Sequence, residues 1–150
     1  MLNRREDELG RLILKLSHQL VKNRGRHALA AGLTASQADC MLFFSSRDET
    51  SVTQLKDYLG VTHQTAQGLV QRMTAKGLLT SRRSPQDSRV VLLSLSAQGR
   101  ALTEQLTHSR EHTVGQLLRD ISPREEEELL RLLELVYRSA RSTYEEEESG

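Results

Sequence analysis

The chain has 150 residues, the length of one domain or of a small lobe carrying long helical extensions. Its aromatic content is 3% with no Trp, so a hydrophobic fraction of 37% must supply an aliphatic, Leu-rich core. No apolar run approaches the roughly 18 residues needed to cross a bilayer. Met1 to Glu8 also lacks the apolar stretch of a signal peptide. A single cysteine, Cys40, excludes an intrachain disulfide framework, so a reducing, cytoplasmic setting without a membrane partner is expected.

The formal net charge of +1 says little, but its distribution says more. From Arg72 to Arg100 six basic residues (Arg72, Lys76, Arg82, Arg83, Arg89 and Arg100) stand against Asp87 alone. Acid gathers at the far end, in Glu125 to Glu128 and Glu145 to Glu148. Such segregation predicts an electrostatic footprint in the middle of the chain, although a solvated charged surface has the same composition.

In chain order, Leu9, Leu12, Ile13, Leu16 and Leu20 recur at helical spacing and predict a first helix from about Arg5 to Leu29, ended by Gly32. Thr34-Ala35-Ser36-Gln37 reads as a capping box opening a second helix that buries Ala38, Met41, Leu42 and Phe44. After a polar turn, Ser51-Val52-Thr53-Gln54 is another box, starting a short helix with Val52, Leu55 and Leu59 inward. Gly60 and Val61 lead to an N-cap at Thr62, and Ala66, Leu69, Val70 and Met73 mark the buried face of the next helix. Gly77 stands where a C-terminal glycine belongs.

Residues 78–83 and 90–95 predict two strands around the turn Ser84-Pro85-Gln86-Asp87-Ser88. Helical signal returns at Ser96 and runs to about Arg119, with Ala101, Leu102, Leu106, Val114, Leu117 and Leu118 apolar. Ser122-Pro123-Arg124-Glu125 is a third capping box with Pro in the first turn. The helix it opens carries Leu129, Leu132, Leu133, Val136 and Ala140 on one stripe. An acidic, disordered tail is expected at 145–150.

A short helix, a glycine-containing turn and a second helix make a helix-turn-helix, whose second helix reads the major groove. With its apolar face inward, that helix turns His63, Gln64, Gln67, Gly68 and Gln71 outward, with Arg72 at the margin. The run holds Gln, Thr and His, including Thr62 and Thr65, and no carboxylate. Gln pairs bidentately with adenine and His can meet acceptors on guanine. The hairpin brings Arg82, Arg83 and Arg89 to a thin loop, a form suited to a narrow minor groove. Asp87 stands two residues before Arg89 and can hold the tip in shape.

The ordered set Leu33-Thr34-x-x-Gln37, Leu55-x-x-x-Leu59-Gly60-Val61-Thr62, Leu69-Val70-x-Arg72-Met73, Lys76-Gly77-Leu78-Leu79, Arg82-x-x-x-x-Asp87-x-Arg89 and Leu93-x-Leu95-Ser96-x-x-Gly99 resembles the MarR (multiple antibiotic resistance regulator) family of bacterial transcription factors. The resemblance implies a mainly α fold with a small β-hairpin wing. It divides the chain into an N-terminal dimerisation helix (1–32), a winged helix-turn-helix lobe (33–95), C-terminal dimerisation helices (96–144) and the tail. It implies that His63, Gln64 and Gln67 read bases, that Arg89 enters the minor groove and that Asp87 braces it. Two departures stand out. Gly68 lies mid-helix, at roughly 1 kcal/mol relative to Ala, and Ser88 replaces an arginine often found beside the wing arginine.

The expected function is thus a homodimeric regulator, a repressor by resemblance, binding double-stranded DNA at a pseudo-palindromic operator. The resemblance also implies a small, aromatic or phenolic acid as effector, with His18, Lys22 and Arg26 lining its cleft. No cofactor and no catalytic motif is read. His108 and His112 lie four apart on one helix, but two ligands are not a metal site; a zinc-responsive regulator is the variant they would support. Cys40 occupies an apolar position and reads as core rather than as an oxidation sensor. The rival from another class is a winged-helix protein adaptor, which has no need of the clustered wing arginines.

Overall fold

The computed structural model describes residues 1–148, with side chains through residue 143. The chain divides into two compact units, with the boundary in sequence between Glu111 and His112. The first holds α1 (Arg4–Ala30), α2 (Ala35–Phe44), α3 (Val52–Leu59), α4 (His63–Ala75), β1 (Leu79–Arg83), β2 (Val91–Leu95) and most of α5 (Ala97–Leu118). The second holds the end of α5 and α6 (Pro123–Glu148). The fold is therefore mostly helical with one antiparallel hairpin, as expected.

Local chemistry sets the element starts. The boxes at Thr34/Gln37, Ser51/Gln54 and Ser122/Glu125 all close reciprocally, satisfying amides that the first helical turn leaves without partners. Ser96 caps α5, its hydroxyl accepting from Gly99 N–H at 3.0 Å. A further box, Asn3 with Glu6, opens α1 one residue before the predicted start. Gly60 and Gly77 take φ of 65° and 74°, the left-handed conformation that turns the chain after α3 and α4 at no Cβ cost.

The core of the first unit is built around α2, where Cys40, Met41, Phe43 and Phe44 are all buried. Leu55 from α3, the predicted Ala66, Leu69, Val70 and Met73 from α4, and Leu79, Leu93 and Leu95 from the hairpin pack into the same cluster. The periodicity placed Leu42 inward, but it is only partly buried, and Phe43 takes the interior instead. Phe43 and Phe44 meet edge to face at 5.2 Å, filling space that an aliphatic core leaves irregular. At the hairpin exit Gly99 passes so close to the backbone that a Cβ there would lie 2.1 Å from the Leu78 carbonyl oxygen.

The hairpin pairs Leu79 with Leu95 through Arg83 with Val91. Its second strand gains a partner on its far edge. Thr50 N–H donates to the Leu93 carbonyl at 3.0 Å and Leu93 N–H to the Thr50 carbonyl at 2.7 Å.

Two apolar stripes stay uncovered. On α1, Leu9, Leu12, Ile13, Leu16 and Leu20 are 41–63% exposed. On α6, Leu129, Leu132, Leu133 and Val136 are 38–53% exposed. Val114 and Leu117 of α5 are exposed as well. Residues 145–148, expected in a disordered tail, have helical backbone within α6, because the helix set by Ser122 and Pro123 continues through them; 149–150 lie outside the described residues.

Candidate nucleic-acid interface

Helix α4 carries the candidate reading face. Thr62 caps it, its hydroxyl oxygen accepting from Thr65 N–H at 3.1 Å and lying 2.9 Å from the Thr65 hydroxyl. Because Ala66, Leu69, Val70 and Met73 are buried, His63, Gln64, Thr65, Gln67, Gln71 and Arg72 are exposed, with Gly68 half-buried among them. None of these outward residues is acidic, so α4 itself presents no charge that repels a phosphate or the acceptor-rich edge of a base pair. A Cβ on Gly68 would meet nothing within 4 Å, so the fold does not require glycine there.

The wing stands beside this face. Asp87 accepts three hydrogen bonds from Arg89: its backbone N–H at 3.0 Å, Nε at 3.1 Å and Nη2 at 3.2 Å. Those bonds, the side-chain ones foremost, hold the Asp87 carboxyl below its ordinary range. The Arg89 side chain is 89% exposed, so the brace aims it outward without burying it. Arg83 reaches across the tip, Nη1 donating to the Ser88 carbonyl at 2.7 Å. The residue that lacks the usual arginine side chain thus supplies a backbone acceptor to the turn.

The two sets of residues meet in one open groove of about 690 Å³ between α4 and the hairpin, lined by His63, Gln67, Gln71 and Arg89 over a floor that includes Val70 and Leu93. Three residues of the predicted helix face, His63, Gln67 and Gln71, therefore share one surface with the wing arginine, whereas Gln64, Thr65, Gly68 and Arg72 do not line it. Arg82 does not line that groove. Its guanidinium is bound to Glu49, a partner that no local spacing announced.

On the other side of α4 a larger groove, about 1400 Å³, is lined by Arg24, Ser36 and Asp39 together with α4 residues from His63 to Arg72. Arg24 Nη1 lies 3.4 Å from Asp39 Oδ2. Burial pushes the Asp39 carboxyl up, with Arg24 opposing the shift. The predicted effector residues His18, Lys22 and Arg26 are exposed on α1 and are not among the residues lining this groove; Arg24 is the first-helix cation that is.

The candidate sensors fare differently. Cys40 is wholly buried, and desolvation, with the nearby Asp39 charge adding to it, pushes its thiol up to about 12. A thiol so placed stays protonated and shielded, the opposite of a reactive cysteine. His108 and His112 are exposed, and the His112 ring lies 3.4 Å from the Gln116 amide nitrogen. Among the described residues no three His, Cys, Asp or Glu side chains gather where they could hold a metal ion.

A two-helix reader flanked by a basic hairpin defines a winged helix-turn-helix protein. Residues 31–90, two fifths of the chain, match the model of the MarR family. Over 102 residues the chain is 24% identical to the uncharacterized HTH-type transcriptional regulator YdgJ of Bacillus subtilis (strain 168). That similarity covers 68% of this chain and 62% of YdgJ, so the chain spans less than two thirds of that relative. Among solved structures, the MarR family transcription regulator SP03579 is similar with a TM-score of 0.82 at 18% identity, over 93% of this chain and 94% of that one. The apo form of MarR from E. coli gives 0.70 at 24% identity (85% and 95% covered). A DNA complex of S. aureus MepR gives 0.74 at 20% identity (87% and 96% covered). At these identities the likeness establishes the fold.

Proposed function

We propose that the protein is a sequence-specific, double-stranded DNA-binding transcriptional regulator acting as a homodimer. The observation that carries this reading is the shared groove, in which His63, Gln67 and Gln71 of α4 and a braced, outward-pointing Arg89 line one surface. In this reading His63, Gln64, Gln67 and Gln71 address base edges in the major groove, while Thr62, Thr65 and Arg72 contact the sugar–phosphate backbone. Arg89 enters the flanking minor groove, where a narrow width concentrates negative potential. That a structure of the similar MepR contains DNA supports the reading.

The exposed stripes of α1 and α6 support the dimer, since apolar faces of that extent are ordinarily covered. A two-fold pair sets two α4 helices for a pseudo-palindromic operator with half-sites about one helical turn, roughly 34 Å, apart. Repression relieved by a small organic acid completes the reading, with His18, Lys22 and Arg26 exposed and spaced four apart on α1, Lys22 and Arg26 attracting the acid and His18 offering a ring nitrogen to it. The test is fluorescence anisotropy with duplexes from the region around the protein's own gene and with unrelated duplexes, repeated with a panel of phenolic acids. Preferential, salt-sensitive binding is expected. Equal, salt-insensitive binding to every duplex, or none, refutes it.

A further inference from the structure

Three arginines give the wing its basic character, but the structure treats them differently. Arg82 Nε donates to Glu49 Oε1 at 2.8 Å and Nη2 to Oε2 at 3.0 Å, a two-pronged pair between residues 33 apart in sequence. Backbone pairing delivers Glu49 to that position. Thr50 is buried and doubly bonded to Leu93 on the edge of β2 away from β1, and the Thr50 hydroxyl bonds the Gln54 side chain that closes the α3 cap. The carboxylate therefore rises from a fixed turn and reaches over β2 to β1.

Arg89 also has a carboxylate partner, but the two pairs differ in what they do. Asp87 is two residues from Arg89 on the same loop and moves with it, leaving the arginine side chain 89% exposed. Glu49 belongs to the turn before α3 and draws Arg82 toward the lobe, where its side chain is 55% exposed. Arg89 lines the groove shared with α4, and Arg82 does not. One pair presents a cation; the other retires one.

We propose that Glu49 is a positioning residue which removes Arg82 from the phosphate-binding charge of the wing and ties the base of the hairpin to the helix-turn-helix, while Arg89 stays presented to DNA. The proposal rests on reading this surface as the DNA interface. Its consequence is that the number of phosphates neutralised is one lower per protomer than the wing sequence suggests. A change at Glu49, a residue with no DNA contact of its own, then alters how steeply binding depends on salt.

The experiment plots log Kobs against log salt for the full-length wild type and for Arg82→Gln, Glu49→Gln, the double variant Glu49→Gln/Arg82→Gln and Arg89→Gln on one duplex. Each phosphate contact contributes a slope of about −0.9. Arg89→Gln should flatten the plot by about that amount per protomer. Arg82→Gln should keep the wild-type slope while weakening binding by a common factor at every salt concentration. Glu49→Gln should release Arg82 and steepen the plot, adding roughly a three- to fourfold loss per protomer between 50 and 200 mM salt. The double variant should return to the wild-type slope. In the free protein, the Arg82 Nε–H NMR signal should be protected from exchange and lose that protection in Glu49→Gln.

Flattening by Arg82→Gln as large as that by Arg89→Gln overturns the proposal, because Arg82 then exchanges its carboxylate for a phosphate on binding. An unchanged slope in Glu49→Gln overturns it too. Wild-type protein without salt-dependent duplex binding removes the functional reading itself, an outcome distinct from either of these.

Discussion

Gly68 offers a substitution in which stability and function are expected to part. It lies inside α4, where glycine destabilises a helix by about 1 kcal/mol relative to Ala through backbone entropy. A methyl group at this position would meet nothing within 4 Å, so Gly68→Ala gains the helix propensity without a packing penalty. The expected gain is about 0.5–1 kcal/mol, or roughly 2–4 °C in Tm per kcal/mol for a chain of this size. Thermal and denaturant unfolding should be compared at one protomer concentration, because dimerisation raises apparent stability with concentration. The same methyl would stand on the face assigned to DNA, where bare backbone permits the closest approach. Duplex affinity should therefore fall although the protein is more stable. An unchanged or lowered Tm would refute the account of α4 packing, and unchanged affinity would show that Gly68 faces no DNA.

Three further outcomes follow from the fold. Gly99→Ala should destabilise strongly, by about 1–3 kcal/mol or more, since its Cβ would lie 2.1 Å from a carbonyl oxygen of the backbone; chemical denaturation checks this. Cys40 keeps its proton in the folded state to about pH 12 but loses it near 9 when unfolded, so above pH 9 the unfolded chain binds fewer protons and stability falls as pH rises. The slope approaches about 1.4 kcal/mol per pH unit between those values and should be shallower in Cys40→Ala. Leu133→Glu, on an exposed stripe of α6, should leave far-UV circular dichroism unchanged and yield monomers in sedimentation, whereas a persistent dimer would place the interface elsewhere.

Much of this fold was legible because its signals are local. Three capping boxes and the caps at Thr62 and Ser96 each span only a few residues, and all close as their side-chain chemistry dictates. Helix α4 was legible because one face is buried and the other is not, which leaves a clean stripe. Helix α2 was less so: its residues are apolar on nearly every side, so periodicity could not choose between Leu42 and Phe43. At the site, Asp87 with Arg89 could be read from a spacing of two, but Glu49 with Arg82 could not. That pair depends on Thr50 joining β2, a contact fixed by tertiary structure. Arg24 likewise enters the groove beside α4 because of how α1 and α2 pack, and charge patterning along the first helix does not distinguish it from Lys22 or Arg26.

The central claim is that α4 and the wing form one DNA-binding surface gripped by Arg89. Its most direct test is the salt dependence of binding to a duplex from the protein's own upstream region, wild type against Arg89→Gln. The account predicts a steep wild-type plot, and for the variant weaker binding with a slope reduced by about 0.9 per protomer. Superimposable plots for the two proteins would contradict it.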